Sequence, residues 1–144
     1  MKVREYLENA VKIDQKIRDK WEQIQNLESM VTNMSASLSD MPGSGNRNIH
    51  RLEDMIIKLT EQRDKLTIEM GELVNIKITV TNLIDSVDNW EQHEVLKERY
   101  FQNLSWDKIA EKRNYSLRHV YRLRDAGITR IERIISNQSG FLIH

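Results

Sequence analysis

The segment LSWDKIAEKRNYSLRHVYRL, residues 104–123, contains two short amphipathic patterns separated by a three-residue break at 114–116. The apolar positions of the two patterns are Ile109, Ala110, Val120 and Leu123. A small residue such as Ala110 in the first pattern lets a second helix cross it closely. The segment therefore predicts two helices that meet at a steep angle across a tight turn.

Ser105 and Ser116 each stand where a hydroxyl can cap the helix that follows. With these starts, and with the apolar spacing upstream, the sequence predicts helices near 89–101, 106–113 and 117–134. The apolar residues of these helices follow no single heptad register, so we expect them to surround a small core of their own.

Residues upstream of this segment carry two long heptad stripes. The first stripe is apolar at Val3, Ala10, Ile17, Ile24, Val31 and Leu38, with Tyr6, Ile13, Leu27 and Met34 as companions three residues later. The second is apolar at Leu52, Leu59, Leu66, Leu73, Val80 and Val87. Such a repeat places a narrow apolar seam along a helix, which then needs a partner helix. We predict one continuous helix over 2–36 and another after the breaker SDMPGSGNRN at 39–48.

Two stripes of matching length joined by a short breaker predict an antiparallel, coiled-coil-like helical hairpin. Pairing between two chains is the alternative, and the pattern does not separate the two arrangements. Lys20 and Gln62 interrupt the stripes, where they either fix the helix register or extend their polar ends into solvent.

The predicted fold is therefore all-α, with three segments. Residues 1–88 form the helical hairpin, which serves oligomerisation or docking. Residues 89–135 form a small three-helix domain of the helix-turn-helix type, and residues 136–144 form a flexible tail.

The composition excludes several classes of protein. The chain has 144 residues, 22 of them basic and 22 acidic, and no cysteine. Disulfides and thiolate metal sites are therefore excluded, and the four histidines lack metal-ligand spacing, so no metal or cofactor is expected. We find no signal peptide and no apolar run of about 18 residues, which predicts a cytoplasmic protein without membrane contact. No group of residues suggests catalysis, so an enzyme is not expected.

Charge is unevenly distributed along this neutral chain. Residues 105–135 contain eight basic and four acidic residues, and a local basic face is the electrostatic signature of DNA binding. If Val120 and Leu123 face inward, four side chains near the start of the last helix face other directions. These are Arg118, His119, Tyr121 and Arg122. We predict that they read bases, because the start of a recognition helix enters the major groove and arginine can bind guanine O6 and N7 together.

Six further residues are predicted to support the DNA backbone. They are Ser105, Trp106, Lys108, Lys112, Ser116 and Arg124. Main-chain N–H groups at 105–107 could bind a phosphate, whereas for Trp106 core packing is the preferred interpretation. The alternative for the whole group is a plain three-helix bundle with solvated arginines, and spacing and charge leave both open.

The C-terminal third resembles region 4 of bacterial sigma factors. The matching motifs are VLKERYF at 95–101, LSWDKIA at 104–110 and YSLRHV at 115–120, with Ala126 at the usual small position. The whole chain is also similar to small sigma-like proteins of phages, prophages and mobile elements of Gram-positive bacteria, relatives of ArpU-type late-gene regulators. Gly127 departs from the sigma pattern. At a cost of about 1 kcal/mol, it is expected to bend or shorten the last helix.

This resemblance implies transcription regulation in a bacterial cytoplasm. Its implied partners are double-stranded DNA, bound through Arg118, His119 and Arg122, and RNA polymerase. A homo-oligomer, most simply a dimer, is expected because one such module buries only about 600–1,000 Å² on DNA. Residues 1–88 have Tyr6 and Trp21 as their only aromatic residues, so the stacking needed to open a promoter is not expected.

Two other functions stay open at this point. A small-terminase-like component of phage DNA packaging also joins a helix-turn-helix to oligomerising helices, although usually with the DNA domain first. The last helices could instead bind a protein and no DNA, in which case the complex would lack the steep salt dependence of phosphate contacts.

Overall fold

The computed structural model describes residues 3–40 and 47–137, which form six helices and no strand. The helices are α1 (Val3–Asn9), α2 (Ile13–Asp40), α3 (Arg47–Asp85), α4 (Trp90–Tyr100), α5 (Trp106–Arg113) and α6 (Leu117–Asn137). The predicted all-α class, with a long helix pair followed by shorter helices, is confirmed. Among the described helices, none combines the length and apolar character of a membrane span.

Two sequence predictions fall partly outside the described residues. Most of the predicted turn at 39–48 lies in 41–46, and α2 and α3 account for its two flanks. Most of the predicted tail lies in 138–144, while α6 continues to Asn137, three residues beyond the predicted helix end.

The chain divides into two compact units. The globular unit consists of the described residues of Met1–Asp14 and Asn75–His144, and the hairpin unit of those of Gln15–Val74. The globular unit is larger than the domain predicted over 89–135, because α1 and the end of α3 pack in the same core as α4 and α6.

In the hairpin unit, α2 and α3 pair in antiparallel register within one chain. Ile24 and Leu66 are buried between them. Lys20 Nζ lies 2.8 Å from Glu69 Oε2, and Arg63 Nη1 lies 3.2 Å from Glu28 Oε1. The hydrogen bond from Lys20 lowers the pKa of Glu69. Lys20 therefore links the two helices, which favours the first of the two roles that the sequence left open for it.

The continuous helix predicted over 2–36 is wrong. The chain leaves α1 after Asn9 and enters α2 at Ile13, and Lys12 between them has φ 64°. A right-handed helix cannot pass through this left-handed conformation. The Lys12 N–H donates instead to Asn103 Oδ1 at 2.8 Å. The break allows α1 to leave the hairpin seam and join the globular unit.

Two clusters of buried side chains form the core of the globular unit. One combines α1, the end of α3, α4 and α6 through Val3, Leu7, Ala10, Val80, Leu83, Ile84, Val87, Leu96, Tyr100, Ile128 and Ile131. The other joins α4, α5 and α6 through Val95, Ile109, Ala110, Val120 and Leu123. The inward positions predicted for the 104–123 segment are therefore confirmed, and α4 contributes to both clusters.

The predicted starts of α5 and α6, and the predicted end of α5, are also confirmed. Ser105 Oγ accepts a hydrogen bond from the Lys108 N–H, and Ser116 Oγ accepts one from the His119 N–H, both at 3.1 Å. Asn114 ends α5 with φ 57°, a conformation that asparagine tolerates better than most residues. Residues 114–116 thus form the three-residue turn between α5 and α6.

Gly127 does not shorten α6, contrary to expectation. It is buried within the helix, and a Cβ atom built there would lie 2.8 Å from Leu96 Cδ1 and 3.5 Å from Gln92 Cβ. The missing side chain therefore lets α6 approach α4 closely. Close packing accounts for a glycine that a helix interior would otherwise disfavour.

The variant Gly127→Ala is expected to be less stable than the variant Gly71→Ala. The expected difference in the free energy of unfolding is about 1–3 kcal/mol. Both glycines lie inside helices, so helix propensity favours alanine at each by about 0.5–1 kcal/mol. Only Gly127 faces a close neighbour, since nothing lies within 4 Å of a Cβ at Gly71. Urea unfolding of the two variants measures the difference. Equal stabilisation of both would contradict the proposed close approach.

Candidate nucleic-acid interface

The turn between α5 and α6 is attached to α4 through Tyr115. The Tyr115 N–H donates to the Ala110 carbonyl at 3.0 Å, and its hydroxyl donates to Glu91 Oε2 at 3.1 Å. The hydrogen bond to Glu91 raises the pKa of Tyr115. Both contacts restrict the direction in which α6 leaves the turn.

A buried carboxylate attaches the end of α5 to α4. Glu98 is only 1% exposed, and it accepts a hydrogen bond from Arg113 Nε. Lys112 Nζ lies 3.1 Å from Glu98 Oε2, and Arg113 Nη2 lies 3.8 Å from Glu94 Oε1. The sequence reasoning missed Glu98, because an acidic residue on a helix is usually solvated.

Arg118 and Arg122 lie four residues apart on the outer face of α6. Both are exposed, while Val120 and Leu123 on the opposite face are buried. Within residues 3–40 and 47–137, no carboxylate forms an ion pair with either arginine. Two guanidinium groups are therefore available to a ligand in the first turns after the tight turn.

His119 and Tyr121 are half-buried and flank this pair. The His119 ring packs edge-on against Tyr115 with centroids 4.7 Å apart, and its Nε2 lies 3.9 Å from Glu91 Oε2. Tyr121 packs edge-on against Trp106 at 6.3 Å. Parts of both side chains remain exposed beside Arg122. The contacts of His119 with Tyr115 and of Tyr121 with Trp106 were not predicted from the sequence.

Arg124 is engaged inside the protein. Its guanidinium carbon lies 4.5 Å from the Tyr121 ring centre and 5.5 Å from that of Trp106. Its Nε donates to Asp125 Oδ1 at 2.8 Å, and only 19% of the side chain is exposed. This placement gives no support to the predicted contact of Arg124 with the DNA backbone, because the charge already has a carboxylate and two aromatic partners.

The other predicted backbone residues differ in availability. Lys108 is exposed, and no acidic group in the described part of the chain pairs with it. Lys112 is 55% exposed and shares its ammonium group with Glu98. Ser105 and Ser116 are exposed caps, and Trp106 is half-buried, edge-on to Tyr100 at 6.2 Å. Trp106 thus packs as core, which was its preferred interpretation.

The fold and this surface define an all-helical protein whose last two helices meet at a three-residue turn and expose an arginine pair. A family model described as a protein of unknown function (DUF1492) matches residues 34–132. The match covers more than half of the chain, from the end of α2 to the second half of α6, and the protein belongs to this family. No curated protein and no solved structure matches it.

Proposed function

We propose that this protein is a sequence-specific regulator of transcription that binds double-stranded DNA with α6 as its recognition helix. The observation that carries the proposal is the pair Arg118 and Arg122, exposed and without ion pairs in the described chain, on the outer face of the helix that follows the three-residue turn. Recognition helices present their first turns to the major groove in this way.

Arginine pairs of this kind suit base recognition for a physical reason. Each planar guanidinium can donate two parallel hydrogen bonds to guanine O6 and N7, and each such pair discriminates against a wrong base by about 1–3 kcal/mol. An internal carboxylate would cancel this capacity, as Asp125 does for Arg124. Lys108 adds an exposed cation on α5 for a neighbouring phosphate.

The biological setting rests on the resemblance to sigma-factor region 4. The motifs at 95–101, 104–110 and 115–120 support a regulator of phage or mobile-element genes in the bacterial cytoplasm that recruits RNA polymerase. In the folded chain these motifs form α4, α5, the turn and the start of α6, so they shape the same unit that presents the arginine pair.

Replacing Arg122 with alanine is expected to weaken specific DNA binding by about 1–3 kcal/mol. The target is first obtained by selecting bound fragments of the source genome, with and without RNA polymerase, and gel shifts then compare the variants. Arg51→Ala is the matched control, because Arg51 is also exposed and lacks an ion pair in the described chain but lies on α3 in the hairpin unit. Equal affinity of Arg122→Ala and parent for the selected target would refute the assignment.

We also propose that the hairpin unit mediates homodimerisation. Its described residues include only two buried apolar side chains, Ile24 and Leu66. Ile57 and Ile68 lie three helical turns apart on one face of α3, and Ile68 is 65% exposed. An apolar face of this kind on a thin hairpin supports a second copy as its partner.

The double variant Ile57→Glu/Ile68→Glu is expected to be monomeric, because burying two carboxylates at a subunit interface is strongly unfavourable. Sedimentation velocity measures the change. The variant Gln62→Glu/Thr67→Glu introduces the same charge at exposed polar positions of α3 and should sediment like the parent. A monomeric parent would contradict the dimer, and a ring-shaped parent would favour a packaging component.

A further inference from the structure

A shallow groove runs along α6 from Arg122, the second member of the arginine pair, to Arg133. Its volume is about 470 Å³, and its lining includes Arg122, Asp125, Arg130 and Arg133 from α6 and Gln92 from α4. Three of the seven residues that line the groove are arginines. The groove therefore extends the basic surface of α6 into a region to which the sequence motifs assign no role.

Two acidic groups at the groove, Asp125 and Asp88, already have arginine partners. Asp125 accepts hydrogen bonds from Arg4 and Arg124, and Asp88 Oδ1 lies 2.7 Å from Arg130 Nη2. Arg122 and Arg133 have no ion pair anywhere in 3–40 or 47–137. The groove thus keeps two unneutralised cations and a third that shares its charge with an exposed carboxylate.

Gln92 adds an unused polar group beside these cations. Its Oε1 atom is buried and has no hydrogen-bond partner among the described residues, and its Cβ lies 3.5 Å from the position of a Cβ at Gly127. The terminal amide of glutamine also carries an NH₂ group with two hydrogen-bond donors. With the NH₂ group toward the groove, Gln92 would donate to an anionic oxygen.

The length of α6 determines which part of DNA this groove would meet. Arg133 follows Arg122 by eleven residues, or about 17 Å along the helix axis. The major groove of B-DNA is about 12 Å wide. If Arg122 contacts base edges, Arg133 lies beyond the rim of the groove, where the phosphates are.

We propose that Arg130, Arg133 and Gln92, in the part of the groove that lies away from Arg122, bind the phosphate backbone of duplex DNA at the edge of the major groove. The inference rests on the proposed function and assigns α6 a second, sequence-independent contact. Guanidinium groups bind phosphate oxygens in pairs of parallel hydrogen bonds. An acidic protein segment is less well suited, because such interfaces need apolar anchors and α6 contributes only Ala126 and Thr129 between the arginines.

The test measures how DNA affinity depends on salt for a mixed-sequence duplex, which presents phosphates without a specific target. Fluorescence anisotropy of the full chain is expected to show that Arg133→Gln reduces the slope of log K against log salt by about 0.9. The affinity should fall about three- to tenfold at moderate salt, and by the same factor on a selected target sequence. Arg51→Gln, which removes a comparable charge from α3, should keep the parental slope.

Two results would overturn this inference alone, and a third would refute the proposed function on which it rests. If the salt slope of Arg133→Gln equals that of the parent and thermal unfolding is unchanged, Arg133 does not contact phosphate. The assignment of α6 as the recognition helix would be unaffected. Unchanged DNA binding with lost binding to poly-glutamate assigns the groove to an acidic protein. A parent that binds neither the mixed duplex nor any genomic fragment refutes the proposed function itself.

Discussion

Arg113→Ala is expected to lower the free energy of unfolding by about 3–5 kcal/mol, which is unusual for a residue at the end of a surface helix. The reason is Glu98, which is buried and loses its guanidinium partner in the variant. An unpaired buried carboxylate costs more than the original ion pair contributed. Lys112 would remain near Glu98, but its long exposed side chain replaces the lost hydrogen bond poorly.

Two control variants identify the source of this loss in equilibrium urea unfolding. Lys112→Ala removes a cation from the same carboxylate but from an exposed position, and should cost less than about 1 kcal/mol. The double variant Glu98→Met/Arg113→Met removes both charges at similar volume and should recover most of the stability. If Arg113→Ala costs no more than Lys112→Ala, the buried pair does not hold α5 on α4.

Leu7→Ala is expected to destabilise the protein by about 2–5 kcal/mol. Leu7 is fully buried in the cluster that joins α1 to the end of α3, α4 and α6. Leu52→Ala is the control, because Leu52 occupies a heptad position of the hairpin unit and is only half-buried. A smaller loss for Leu7→Ala than for Leu52→Ala in thermal or urea unfolding would contradict the docking of α1 in the globular core.

Polar contacts surround the same docked helix. Glu8 accepts hydrogen bonds from the Tyr100 hydroxyl at 3.0 Å and from Arg99 at 3.3 Å, and Arg4 pairs with Asp125. Burial raises the pKa of Tyr100, and the nearby Glu8 carboxylate raises it further. If α6 binds DNA as proposed, Leu7→Ala should reduce DNA affinity only to the extent that it unfolds the globular unit, because Leu7 is buried in the core of that unit. Arg122→Ala should reduce affinity without changing stability.

The sequence alone predicted the features that follow from local chemistry. Helix type, the caps at Ser105 and Ser116 and the inward residues of the 104–123 segment depend on neighbours within a few positions, and all are confirmed. The outward direction of Arg118 and Arg122 followed from the same periodicity.

Features that depend on distant partners were missed. The heptad pattern runs through Ala10 without interruption, so the local sequence did not predict the break at Lys12. In the structure the Lys12 N–H binds Asn103, which lies far along the chain. Gly127 appeared unfavourable for a helix, because the sequence does not show that Leu96 packs against it and leaves no room for a side chain. Arg124 appeared equivalent to Arg122, and only the folded positions of Tyr121, Trp106 and Asp125 distinguish the two.

During synthesis, α1 is made long before α6, one of the helices against which it packs. Leu7 leaves the ribosome about 120 residues before Ile128, a delay of about 6–24 s at bacterial rates of translation. Until then α1 has no complete binding surface, and its apolar side chains are open to chaperones and proteases. A nascent chain released before α6 is made would therefore lack part of the core against which α1 packs.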